Sequence, residues 1–484
     1  MKNIIKKYVY VSLALLLFSC DSYIDINTNP NYPGNADVDM LLPSGQIALA
    51  GIVGGDMELI GGLWSQHYTQ NASANQYNTT VNYTISNASY ARMWTIPYTL
   101  ALPDLNLVIK KADAANYANY SLVADVMTCF GFHMLASWYE NIPYSEALLG
   151  AENLYPEYDE GRVINTALIA RLDAAIAKRT AAESSTKKIQ SQDLVFGGDL
   201  DKWVAFAKTL KLKLLMRDFA TNRTAIQSAL SAGGFLTVDA KIDQFSDSEN
   251  NSNPLYENDR RKLNTQNNIA ASATLVNYLL ANSDPRISVF FEKNQDGEYF
   301  GLNCGDRPAT GEVPAGKISR AMLAPVDPVY FTSVAESFFL QAEAYARLGD
   351  AVAAKTAYNN GVTAAFSRWD LNASTFIATG GVYEFNSTST DSMLKCILTQ
   401  KWVAATRCQA WDSFFDINRM GIPALGSKLP TEEGYVLGEL SPVIESSLPA
   451  NEFPKRMIFP KLSADNNPNA PEPIAISVKQ WWHK

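Results

Sequence analysis

The chain has 484 residues, of which 47% are hydrophobic and 18% charged, with a formal net charge of -9. That apolar fraction is enough for a large core, and the length allows roughly two to four domains. The acid excess lacks the basic footprint that nucleic acid or an anionic bilayer surface requires, and neither the five cysteines nor the three histidines (His67, His133, His483) are spaced for a disulfide scaffold, a zinc finger or a metalloprotease helix.

The first residues carry Lys2, Lys6 and Lys7, then an apolar run that ends at Phe18 and is too short to span a bilayer. Leu17-Phe18-Ser19-Cys20 follows and looks like a bacterial lipobox. The expectation is a signal peptide over residues 1–19 and a lipidated Cys20, with an ordinary secretory signal and an incidental cysteine as the alternative. Acyl chains contribute roughly 0.8 kcal/mol per buried CH₂, so two or three of them hold a protein stably on a membrane. Residues 20–45 are rich in Asn, Asp and Pro and read as an irregular tether. Residues 46–484 read as a single domain.

From Met40 a short apolar helix is predicted (Ile47, Leu49, Ile52, Val53), loosened by Gly51, Gly54 and Gly55. Residues 88–113 are helical with kinks at Pro97 and Pro103, and 119–139 form another long helix. Residues 163–179 repeat apolar side chains at fours (Ile164, Leu168, Leu172, Ile176), as do 200–219 (Trp203, Phe206, Leu210, Leu214). From about 240 to 325 the chain is polar and punctuated by Gly and Pro, which predicts an irregular insertion with a few short strands. Helices resume at 333–367 and 391–410, and residues 425–484 form an irregular tail. No later segment offers eighteen apolar residues in a row. In 341–361, Gly349-Asp350, Ala354, Tyr358 and Gly361 have the spacing of a tetratricopeptide turn, in which small residues let two antiparallel helices approach closely. The expected fold class is mainly α, built of tetratricopeptide-like helical hairpins with a loop-rich insertion. Cys129 falls in an apolar helix and reads as a buried thiol; no disulfide is predicted.

No nucleophile elbow, phosphate loop or dinucleotide fingerprint is present, so no catalytic residue is assigned and no cofactor is expected. Two spaced carboxylates suffice for a glycosidase, and 49 acids always offer some pair. A binding surface has a better candidate. Trp64, His67, Tyr68, Tyr77 and Tyr83 are interleaved with Gln70 and Asn71 in a stretch almost without charge, which suits a neutral ligand: rings cover sugar C–H groups or apolar side chains while amides pair with hydroxyls or backbone. Trp94 and Tyr98, four apart on a helix, read instead as core. A second candidate face is Tyr256, Arg260 and Arg307 in the insertion, where guanidinium groups can hold carboxylates. The acids Asp243, Asp247 and Glu249 lack the EF-hand pattern, so calcium is not expected.

Five strings in chain order resemble SusD/RagB-like proteins: WYENIPYSEAL at 138–148, DLVFGGDLDKWVAFAKTLKLKLLMR at 193–217, AESFFLQAEAYARLG at 335–349, QKWVAATRCQAWDSFFDINRMGIPAL at 400–425 and RMIFPKLSADNNPN at 456–469. Asn418 and Ser463 depart from the pattern, at places often held by Arg and Glu. The resemblance implies a helical platform moored to the outer membrane. It would bind oligosaccharides or peptides and act as the lid of a SusC-like TonB-dependent transporter, without catalysis. Two further readings stand beside it: a structural or adhesion lipoprotein whose hairpins bind protein partners, and a surface glycan hydrolase.

Overall fold

The computed structural model describes residues 36–263, 268–307, 315–449 and 452–484; the signal peptide, Cys20 and the tether as far as residue 35 lie outside them. The first described element is α1 (Val38–Ile52), capped by Asp37, whose carboxylate accepts from the Val38 N–H at 2.6 Å. Residues 38–45 therefore belong to the folded body and not to the tether, which corrects the boundary expected at 45. A π turn (Val53–Met57) joins α1 to α2 (Glu58–Trp64), so the glycines do not end the helix. They let it touch its neighbours. A Cβ on Gly61 would stand 2.3 Å from the Trp411 backbone, so only hydrogen fits there. The rod Val38–Trp64 is long and apolar enough to cross a membrane, yet 78% of its most apolar stretch is buried in the fold, which makes it a core helix.

Residues 92–115 run as one rod through a second π turn, at Pro97–Ala101, into α3 (Leu102–Ala115). It packs on α4 (Ala118–Tyr139), which is buried on every face, as a helix that is apolar all round must be. Cys129 is one of its buried side chains. Then come α5 (Gly161–Ala177), α6 (Leu200–Met216) and α7 (Phe219–Ala232), each laid against the one before. The fours-repeat is the buried face: Ile164, Leu168 and Leu172 on α5, and Trp203, Phe206, Leu210 and Leu214 on α6.

The insertion holds α8 (Ala273–Ala281) and short strands. β1 (Tyr68–Gln70) pairs antiparallel with β3 (Ile269–Ala271), Tyr68 opposite Ala271, and β2 (Ala240–Ile242) pairs antiparallel with β4 (Val329–Thr332). The second helical half follows as α9 (Val334–Leu348), α10 (Ala351–Ser367), α11 (Thr390–Ala405) and α12 (Ala410–Met420). Between α9 and α10, Gly349 takes the left-handed conformation and Asp350 accepts from the Ala353 N–H at 2.9 Å. A Cβ on Gly361 would meet the Phe339 ring at 2.8 Å. The tetratricopeptide-like spacing thus marks a real close approach of two antiparallel helices. α9 also lies on α6 and α7, where Leu340 and Ala344 share a cluster with Leu212, Leu215, Phe219 and Ile226 and join the two halves. The fold is mainly α, made of packed hairpins. In the tail one short helix, Lys461–Asn466, interrupts the irregular course.

Candidate ligand site

The aromatic stretch that begins at Trp64, the last residue of α2, is turned inward. Trp64 is wholly buried; its indole donates to the Thr80 carbonyl at 2.9 Å and its ring packs on Phe414 at 5.1 Å. His67 is buried beside Trp402, and burial lowers its pKa to about 3, so it is a neutral ring. Tyr68 lies edge-on to Phe291, and Tyr83 edge-on to Phe453. Gln70 donates to the Asn268 carbonyl and accepts from the Tyr77 N–H at 2.6 Å. Asn71 accepts from Ser73 at 3.0 Å, and the Tyr77 hydroxyl donates to Asp259 at 2.8 Å. The expectation of an exposed platform at Trp64, His67, Tyr68, Gln70, Asn71, Tyr77 and Tyr83 is corrected. Trp64, Gln70, Asn71 and Tyr77 bond within the protein, and the rings of the stretch fill the core.

The second expected face divides. Arg260 is mostly buried and donates to the Ala321 carbonyl at 3.0 Å, while Tyr256 is half-buried beneath Arg261. Arg307 is exposed. These residues do not converge on a cavity. Asp243 pairs with Lys241 and Asp247 with Arg261, and among the described residues no group of three metal-ligating side chains is assembled.

An open groove does form, from parts far apart in the chain. Its floor is Trp94 and Tyr98, on successive turns of the rod that leads into α3. One wall is the loop that leaves α4, with Pro143, Leu148, Asn153, Leu154 and Tyr158; the other is the tail helix, with Leu462, Ser463 and Asn467. The cavity is about 620 Å³, and no Asp, Glu, Lys or Arg lines it. Trp94 and Tyr158 lie nearly parallel, centroids 6.0 Å apart and planes 17° apart. Trp94 is braced edge-on by Tyr139 at 5.0 Å and by Phe459. The Tyr98 hydroxyl donates to the Pro143 carbonyl at 2.6 Å, and Tyr158 and Ser463 share a hydrogen bond. Asp159 clamps the start of the loop by accepting from the N–H groups of Tyr144 and Ser145, and Asn467 clamps its far end by donating to the Pro156 carbonyl at 2.8 Å. The rim is apolar and exposed, with Leu154 at 66% and Leu462 at 51%. Burial pushes the Tyr98 and Tyr158 phenols above their ordinary pKa, so both stay neutral hydrogen-bonding groups. Such a groove offers ring faces, amides and hydroxyls and has no group for acid–base work.

Trp94 and Tyr98 had read as core from their spacing. They are mostly shielded, yet they are the aromatic residues between 64 and 98 that line this groove. Tyr158, Leu462 and Asn467 went unassigned, because nothing local in sequence joins the α4 exit loop to the tail. The departures at Asn418 and Ser463 are accommodated. Asn418 donates to the Phe414 and Pro454 carbonyls and accepts from Lys455 at 2.9 Å; Ser463 meets Tyr158.

The chain is a platform of packed helical hairpins with an open, uncharged groove. Residues 56–446 match the model of the SusD-like family described as "Starch-binding associating with outer membrane", and the chain belongs to that family. As a member it is a binding protein and not an enzyme. Solved structures share the fold at low identity. A SusD homolog from Bacteroides uniformis superposes with a TM-score of 0.71 at 21% identity, over 92% of this chain and 99% of that one. A chitin-binding SusD homolog from Flavobacterium johnsoniae gives 0.73 at 18% identity, over 90% and 98%. A SusD/RagB family protein from Bacteroides thetaiotaomicron gives 0.70 at 20% identity, over 93% and 99%. No curated protein matches the sequence.

Proposed function

We propose that this chain is a surface nutrient-binding lipoprotein, held on the outer membrane by lipid on Cys20, that captures a neutral oligosaccharide in the Trp94–Tyr98–Tyr158 groove and passes it to a SusC-like TonB-dependent transporter as its lid. The observation that carries the ligand class is the lining: three aromatic rings with Asn153, Asn467, Thr95 and Thr99, and no charge. Sugar C–H faces cover rings, and amides take up hydroxyls. Weak affinity is sufficient, because a millimolar site is worth only about 4 kcal/mol and mooring above a pore raises the effective concentration.

The leucine rim at Leu154 and Leu462 supports a second reading, an unstructured peptide with apolar side chains. A glycan and peptide array probed with the mature protein separates the two. Oligosaccharide hits weakened in Tyr158→Leu support the groove; hits of undiminished strength in that variant move the site elsewhere. Gentle solubilisation of the native membrane should bring down a large β-barrel with the chain. Its absence would leave the structural or adhesion reading in place, and turnover of a bound glycan would revive the hydrolase.

A further inference from the structure

Behind α6 and α12 lies a buried chain of charges. Lys213 sits between Glu336 and Asp412, at 2.5 Å from each. Lys401 joins Asp412 at 2.8 Å to Asp416 at 2.6 Å. Arg419 bridges Glu343 and Asp416 at 2.6 and 2.7 Å, and Arg347 adds a contact to Glu343 at 3.3 Å. Each of these cations is matched by a carboxylate. Arg217, at the end of α6, is not. Its guanidinium donates to the Ser137 hydroxyl at 2.6 Å and lies over the Trp482 ring at 4.1 Å, and it makes no ion pair with any described carboxylate. Five cations (Lys213, Arg217, Arg347, Lys401, Arg419) thus stand against four carboxylates (Glu336, Glu343, Asp412, Asp416), and the excess charge is at Arg217. One hydroxyl and one ring face hold the guanidinium, while Asp412 and Asp416 act on it without direct contact. Burial and the neighbouring Arg419 lower its pKa to about 9, so it is still charged at neutral pH.

Arg217 is not sealed in. It opens on a groove of about 480 Å³ where Arg162, Arg347, Arg419 and Lys484 share the lining with Asp218 and Asp391, and Asp218 is already held by Arg162 at 2.8 Å. Trp481 and Trp482 form part of the wall. His483 also lines the groove; its Nδ1 accepts from the Gln480 N–H at 3.2 Å, which places the proton of the neutral ring on the buried Nε2. The groove thus carries five cations (Arg162, Arg217, Arg347, Arg419, Lys484) against two carboxylates (Asp218, Asp391), and the Arg217 guanidinium, bonded only to the Ser137 hydroxyl and paired with no carboxylate, matches the oxygens of an oxyanion.

We propose that the Arg217–His483 groove is an anion site that takes the carboxylate or sulfate group of an acidic saccharide, separate from the uncharged groove and independent of what binds there. The mature full chain is titrated by calorimetry with sodium sulfate and with glucuronate, against chloride at matched ionic strength and glucose as the uncharged control. Saturable binding of sulfate or glucuronate, with no response to glucose, is expected. Arg217→Gln should weaken it at least about tenfold while leaving binding to the uncharged groove intact; Arg217→Lys, which keeps the charge and loses the fork, should fall between. Binding of sulfate alone assigns the site to a free inorganic anion; competition between sulfate and glucuronate assigns it to an acidic sugar. No saturable binding to the wild type overturns the proposal. So does undiminished affinity in Arg217→Gln or, where that variant does not fold, in Arg217→Lys.

Discussion

Residues 64–83 and the groove around Trp94 are made of the same materials, aromatic rings and neutral amides, and they end up doing opposite things. In the first, the rings lie in the core and several polar tips bond inside the protein: the Trp64 indole to the Thr80 carbonyl, the Tyr77 phenol to Asp259, the Gln70 amide to the Asn268 carbonyl. In the second, three elements meet at an angle and leave about 620 Å³ between them, so ring faces and amides stay available. Composition sets what a surface can bind. Whether it is a surface at all depends on the packing of distant segments.

The largest effect that would break this comparison belongs to the core. Trp64→Ala should destabilise the protein by about 3–5 kcal/mol, because it empties a fully enclosed site between Phe414 and Trp138. Denaturant unfolding measures it. A loss below about 1 kcal/mol would mean that Trp64 is not core and would reopen the 64–83 stretch as a binding face.

Next in size is a pH effect confined to the same region. Glu58 is buried on α2, accepts from the Ala410 N–H at 2.8 Å and has no cation beside it. Burial raises its pKa from 4.5 to about 8. The folded state therefore holds a proton that the unfolded chain releases between those values. Stability from this group is full below the unfolded value, falls as pH rises through the interval and levels off above about 8, with a slope of at most about 1.4 kcal/mol per pH unit. Glu58→Gln should flatten that part of the stability–pH curve. A curve of unchanged slope would show that the carboxyl is ionised in the fold.

Much of the fold was legible because its signals are local. The repeat at fours on α5 and α6 is the buried face, and Gly349-Asp350 marks the turn between α9 and α10. What was not legible depends on long-range packing. Gly54 and Gly55 read as loosening a short helix, yet they lie in a π turn that carries the helix on to Trp64. Tyr77 sits in a polar stretch, as an exposed residue would, yet it is buried, its N–H donating to Gln70 and its hydroxyl donating to Asp259. The groove joins residues 94, 158 and 467, and the unmatched charge on Arg217 appears only once the carboxylates of α9 and α12 are paired off.

A smaller effect tests the groove itself. Tyr158→Leu keeps an apolar side chain but removes the ring parallel to Trp94 and the hydroxyl bonded to Ser463. Affinity for an oligosaccharide should fall by about 0.5–1.5 kcal/mol, roughly two- to tenfold, with little change in fold. The same substitution in a protein that binds elsewhere would leave affinity unchanged.

The smallest expected effect is none, and it discriminates best between the two regions. The lining carries no carboxylate and no cation, and burial holds the Tyr98 and Tyr158 phenols above their ordinary pKa. No group in the groove changes charge between about pH 5 and 9. Affinity for a neutral sugar should therefore stay flat across that range, while global stability bends with Glu58. Isothermal titration at several pH values, paired with unfolding at the same values, sets the two curves side by side. If affinity tracks stability, the ligand is reading the core and not the groove. If affinity has its own step, a titrating side chain outside this lining contacts the ligand, and the uncharged groove is not the site.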